Sequence, residues 1–160
     1  MGERTLTVSW SDPAQLAESA RSMSGLELMR AIVAGTLPPA PIQALLGYAL
    51  VEAEEGRVVF ELEPGEQHYN PIGSVHGGVT ATLLDSAMGA AVHSTLPQGS
   101  AYVTLEVKFN LVRAVRRDTG RVRAEGRVIH CGNTVATAEA SLRDGEDRLL
   151  AHGTSTCLLR

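Results

Sequence analysis

From Tyr48 onward, apolar and polar residues alternate with the two-residue period of β-strands, and one long apolar run interrupts the alternation. Two runs, 48–53 and 57–63, flank Glu54-Glu55-Gly56, which reads as a hairpin turn. In the second run Val58, Phe60 and Leu62 share a face, opposite Val59, Glu61 and Glu63. The clearest alternation spans 102–112. There Val103, Leu105, Val107, Phe109 and Leu111 alternate with Thr104, Glu106, Lys108 and Asn110, the pattern of a half-buried antiparallel strand. Three more strands are expected at 120–130, 134–143 and 149–158, with turns at Gly132-Asn133 and Asp144-Gly145. Several of these run near ten residues, which implies a strongly curved sheet.

The interruption lies at 77–94, GGVTATLLDSAMGAAVHS, rich in Ala and Leu and apolar nearly all round. A helix with so few charges must be buried on most of its surface. The order is therefore strand, strand, long apolar helix, then four strands. An α+β hotdog fold satisfies it: a curved antiparallel sheet of about six strands wrapped around one central helix. Residues 1–46 read as a helical extension rather than an independent domain, and 47–160 as the hotdog domain. In the extension, short helices are expected after Asp12-Pro13, over 26–33 up to Gly35, and over 42–46 up to Gly47, with a stiff Pro-rich connector at 37–41.

Composition narrows the function. A net charge of −4 argues against a nucleic-acid or anionic-membrane binder, whose footprint would be basic. No apolar run reaches the roughly 18 residues that suggest a membrane span, and the first residues lack the apolar core of a signal peptide. A cytoplasmic location follows as the expectation, with Cys131 and Cys157 as two buried thiols rather than a disulfide. The five histidines show no paired metal-ligand spacing, so no metal is expected. A Gly-x-Ser-x-Gly elbow, a P-loop, a dinucleotide fingerprint and a Cys-x-x-Cys pair are all absent from the sequence.

Chemistry concentrates around the start of the buried helix. Its first N–H groups lack intrahelical partners and carry the positive end of the helix dipole. Bare backbone at Gly77 and Gly78 would let a carbonyl approach those donors, as a thioester under attack requires. The same glycines could instead serve a tight turn and close helix packing. Asp85, among Leu83, Leu84, Ala87 and Met88, is costly unless paired or useful. It could attack a thioester carbonyl or deprotonate water. Alternatively it could hydrogen-bond to backbone groups of a neighbouring strand. Asn70 could orient a water or the thioester, or simply shape the turn before Pro71. His76 could act as a base or fix its loop.

The stretch N-P-I-G-S-V-H-G-G-V-T-A-T-L-L-D, Asn70 to Asp85, resembles the phenylacetate-pathway (PaaI-like) thioesterases of the hotdog superfamily. A looser likeness extends over 25–159. The resemblance implies an acyl-CoA thioesterase acting on aryl, aryl-acetyl or medium-chain acyl groups, with no metal or organic cofactor. It implies Asp85 as nucleophile or general base, Gly77 as the N–H that polarises the thioester carbonyl, and Asn70 as a helper at the thioester and water. Thr104 matches more weakly a Ser or Thr near the water. His76, Gly78, Arg113, Asn133 and Thr134 are the expected substrate contacts, the last three toward coenzyme A; Arg113, with Arg116 and Arg117, could equally belong to a solvated charged loop. In such enzymes the site is shared across a homodimer, and dimers pair into homotetramers. Many members carry Pro where this chain has Ala114, a departure at a strand end that touches no expected catalytic residue.

Two other readings stay open at this level. A hotdog enoyl-CoA hydratase would need an Asp and His pair, but His93 lies eight residues past Asp85, about 80° round an ideal helix. A non-catalytic acyl-CoA-binding module would have no use for a buried Asp, and 1–46 is too short and too little basic to be a DNA-binding effector.

Overall fold

A helix with one charged side chain and apolar residues on nearly every side has no face to offer water, so other elements must wrap it. In the computed structural model, which describes residues 2–160, that element is α4, Gly77–Ser94. Leu83, Leu84, Met88 and Val92 along it are fully buried, each contributing about 1.5–3 kcal/mol relative to exposure.

Six antiparallel strands do the wrapping: β1 Tyr48–Glu54, β2 Arg57–Leu62, β3 Tyr102–Leu111, β4 Val122–Cys131, β5 Val135–Arg143 and β6 Leu149–Leu159. They form one sheet in the order β1-β2-β4-β5-β6-β3, and α4 packs against all six. This is the expected hotdog fold. Few aromatics are needed because the inner face of the sheet is paved with small residues. Ala124, Ala136, Ala138, Ala140 and Ala151 are buried there, and a Cβ on Gly126 would overlap the Ala87 carbonyl of α4.

Three short helices precede the sheet. They are α1, Pro13–Ser22, α2, Gly25–Val33, and α3, Pro41–Leu46, which ends on the left-handed Gly47 at φ 70°. Ser24 and Glu27 cap α2 reciprocally. That helix lies on α4: the Gly25 N–H donates to the Leu96 carbonyl at 3.0 Å, and a Cβ on Gly25 would overlap the His93 carbonyl. Leu28 and Met29 join the main core. Two 3-10 turns, Glu66–His68 and Arg117–Thr119, are additional to the elements read from the sequence.

Strand β3 departs from the simple alternation. Thr104 pairs with Cys157 but Glu106 pairs with Thr156, so Leu105 is a one-residue bulge. A bulge reverses which residues face inward. Tyr102 and Thr104 therefore face α4 before it, and Val107, Phe109 and Leu111 after it. Val103 and Leu105, expected on the buried face, are 40% and 60% exposed. Cys131 also differs from expectation: it is exposed at the end of β4, beyond the Ile129 bulge, while Cys157 is buried.

Gly126→Ala should force the sheet away from α4 at an unyielding backbone contact. An overpacking cost of about 2–3 kcal/mol corresponds to a fall in melting temperature of roughly 5–10 °C, measurable by differential scanning fluorimetry.

Candidate active site

The N-terminus of α4 has one free donor. His76 is its N-cap: its Nδ1 accepts the Gly78 N–H at 2.9 Å, and its carbonyl accepts the Val79 N–H at 2.9 Å. Acceptance at Nδ1 uses a lone pair there, so the tautomer that makes this cap carries its hydrogen on Nε2. The His76 N–H in turn donates to the His68 carbonyl at 2.8 Å. Among the described residues, the Gly77 N–H has no hydrogen-bond partner. A Cβ at Gly77 would meet only Leu111 Cδ1, at 2.9 Å, where β3 ends.

That donor borders a cavity of about 180 Å³ lined by Asn70, Ser74, Gly77, Thr80, Leu111 and Arg113. Asn70 organises the loop beside it. Its Oδ1 accepts the N–H groups of Ile72 and Ser74 at 3.0 and 3.2 Å, and its Nδ2 donates to Ser74 Oγ at 3.0 Å. One Nδ2 hydrogen is left over. Arg113 is exposed, with Nη1 donating to the Leu149 carbonyl at 3.3 Å.

Asp85 stands elsewhere on the same helix, partly buried. Thr104 Oγ1 donates to its Oδ1 at 3.3 Å, and no backbone N–H of the described residues reaches it. The bulge at Leu105 makes this contact possible, because without it the inward residues of β3 would be 103 and 105. Tyr48 lies nearby, its hydroxyl 2.9 Å from Ser86 Oγ. Burial and then, after the Ser86 bond that opposes it, the Asp85 charge push the Tyr48 phenol pKa upward. Tyr102 lies across Gly89, one helical turn past Asp85, where a Cβ would overlap its hydroxyl. Burial foremost, then the Asp85 charge, raises its pKa too. His93 packs against Tyr102, ring centroids 5.6 Å apart, and burial lowers its pKa, so it stays neutral near pH 7.

These groups fall into two separate clusters. Gly77 and Asp85 are eight residues apart on one helix, about 12 Å along its axis and about 80° around it. One thioester cannot touch both. The remaining residues divide in the same way. Asn133 and Thr134 are exposed at the β4–β5 hairpin, where the Thr134 carbonyl accepts the Leu159 N–H at 2.8 Å, beside the Tyr102 end of β3. Arg113 follows the opposite end, about 30 Å away along a ten-residue strand. Tyr102, Tyr48 and Ser86 escaped the sequence reading; the only hint was Gly89, four residues beyond Asp85, a gap an aromatic ring could fill.

The family model for the thioesterase superfamily matches residues 72–151, half of the chain and all of α4 and β3. The chain belongs to the thioesterase superfamily. It is accordingly a thioester hydrolase, and its relatives carry matching names. It is 31% identical to human acyl-coenzyme A thioesterase 13, over 67% of this chain and 76% of that one. It is 28% identical to the 1,4-dihydroxy-2-naphthoyl-CoA hydrolase of Listeria monocytogenes, over 68% and 87%. Among solved structures, a conserved protein of Pseudomonas aeruginosa superposes with a TM-score of 0.72 at 34% identity, covering 76% of this chain and 95% of that one. A phenylacetic acid degradation-related protein of Ralstonia eutropha shares the fold at TM-score 0.73 and 23% identity, over 81% and 98%. Among the described residues of this thioesterase no helix is long and apolar enough to cross a membrane, and no group of three or more His, Cys, Asp or Glu could hold a metal.

His76→Ala should remove the cap of α4 and cost about 1 kcal/mol, a melting-temperature loss of about 2–4 °C. Asn at the same position can cap and should restore most of it, both read by thermal unfolding.

Proposed function

We propose that this thioesterase hydrolyses acyl-CoA to free acid and coenzyme A in a site that two copies of the chain build together. The observation that carries the reading is the separation of the Asp85 carboxylate from the one free N–H of the helix terminus. A carboxylate and an oxyanion donor must both lie within contact of the same carbonyl, so each copy supplies one to the other's half-site.

The free edge of β3 suggests how. It is the last strand of the sheet, unpaired on its outer side, and Phe109 and Leu111 along it are 39% and 53% exposed. Such an edge is a template for strand pairing. A two-fold axis near Val107 and Lys108 would set the Thr104 end of one β3 against the Leu111 end of the other. Asp85 and Thr104 of one copy then face Gly77 and Asn70 of the second, and Arg113 of one approaches Asn133 and Thr134 of the other.

In that arrangement the Gly77 N–H holds the thioester oxygen as negative charge develops on it. Thr104 fixes one carboxylate oxygen of Asp85 and leaves the other free to attack the carbonyl carbon or to take a proton from water. Direct attack forms an acyl-Asp85 anhydride, expels coenzyme A as thiolate, and ends with hydrolysis by water. The spare Nδ2 hydrogen of Asn70 serves the thioester or the water. Arg113, Asn133 and Thr134 are suited to the coenzyme A arm, and this chemistry requires no metal or organic cofactor. Aryl, aryl-acetyl and medium-chain acyl groups are the candidate substrates. The outward Val103 and Leu105, left uncovered by edge pairing, favour dimers pairing into tetramers. His93, turned onto Tyr102, leaves the hydratase reading without its base.

Asp85→Asn should lower turnover of acyl-CoA by at least about two orders of magnitude, read as thiol release, and Gly77→Val should impair it by filling the space before Leu111. Mixing the two inactive variants after denaturation and refolding should restore activity to about a quarter of wild type, since half of random dimers carry one intact site. A mixture as inactive as its components would refute the shared site.

A further inference from the structure

The chain has three tyrosines. The Tyr48 hydroxyl is bonded to Ser86 and that of Tyr69 accepts the Arg117 N–H, but among the described residues the Tyr102 hydroxyl has no partner. It is not sealed either, since among the described residues Gln43 Nε2 is the side-chain polar atom that is both fully buried and unpartnered. A mostly buried phenol that finds no protein partner is an exception that calls for an external one.

Its position tells what that partner is. Tyr102 faces α4 two residues before Thr104, on the same side of β3, and its hydroxyl lies over Gly89, one turn past Asp85. The absence of a side chain at Gly89 is what lets the phenol reach the helix. Toward the N-terminus from Asp85, α4 is open, with Gly78 exposed and Ala81 and Thr82 partly so. Toward the C-terminus every residue from Ala87 to Val92 is buried, and His93 backs the Tyr102 ring. The acyl group is the apolar end of an acyl-CoA and fits this closed apolar side, where Tyr102 is the floor, while the charged coenzyme A arm stays at the surface, where Asn133 and Thr134 are exposed.

Resting on the proposed acyl-CoA hydrolysis, we infer that Tyr102 is a specificity residue that donates a hydrogen bond to an oxygen on the acyl group, roughly 6 Å beyond the thioester carbonyl. The reach follows from the 1.5 Å rise per residue between positions 85 and 89. Burial and the Asp85 charge hold the phenol protonated throughout the working pH range, so it acts as a donor. The ligand class is an acyl group with a keto, ether or hydroxyl oxygen at that distance, and a plain alkyl chain of equal length leaves the donor unmatched.

The test uses a matched pair, 5-oxohexanoyl-CoA and hexanoyl-CoA, with the full-length protein. The wild type should favour the oxo compound in kcat/KM, and Tyr102→Phe should lower the ratio of the two values about tenfold, the worth of one such bond. Gly89→Ala, which displaces the hydroxyl, should lower the same ratio. An unchanged ratio in Tyr102→Phe overturns the inference, as does a wild type that prefers hexanoyl-CoA. Calorimetric binding of the matching nonhydrolysable ketones, with a methylene between sulfur and carbonyl, separates the two levels. Tyr102-dependent selectivity in binding without any thioester turnover would sink the hydrolysis reading and keep this contact. Turnover with selectivity indifferent to Tyr102 would do the reverse.

Discussion

Enclosure of α4 governs everything else in this molecule. An apolar helix of this length cannot sit on a surface, so the sheet has to curve around it, and a curved sheet of six strands leaves two edges that do not meet. One edge, β1, is short, bulged, and has α2 packed beside it. The other, β3, is long and bare. The single charged residue of the helix therefore lies at the one side where wrapping is incomplete, the place where a charge can be kept at the least cost of burial.

Small residues set the precision of that enclosure. The alanines of β4, β5 and β6, with Gly126 and Gly25, bring strands and α2 to van der Waals distance of the helix backbone. Bulky side chains would have produced a thicker layer with more rotameric freedom. A tight inner layer holds the terminus of α4, and with it the Gly77 N–H, as a fixed feature rather than a loop that must be ordered on binding. Charge is kept on the outer surface, where Glu52, Glu61 and Glu125 pair with Arg57, Arg123 and Arg127.

Periodicity made the core of this architecture readable. The limits of α4 coincide with 77–94, and the strands fall within about two residues of the alternating runs, because local pattern and tertiary environment agree there. The free N–H at Gly77 was legible through its glycines and the lone carboxylate at Asp85 through its incongruity. What stayed hidden was relational. The inward turn of Thr104 depends on how β3 registers against β6, and Leu105 looks like any other apolar residue in the row. Tyr102 reads as the start of a strand; only the fold reveals which glycine it covers. Cys131 reads as a core thiol because its exposure depends on where the helix ends relative to the hairpin.

The bulge at Leu105 divides β3 into two segments of opposite phase. Before it, even positions face α4; after it, odd ones do. A drift that deleted this one residue would leave composition, length and hydropathy almost untouched, yet would rotate Tyr102 and Thr104 out to solvent and deprive Asp85 of its bond from Thr104. Descent within this lineage should therefore hold the residue count between Tyr102 and Leu111 more strictly than the identity of most side chains it contains.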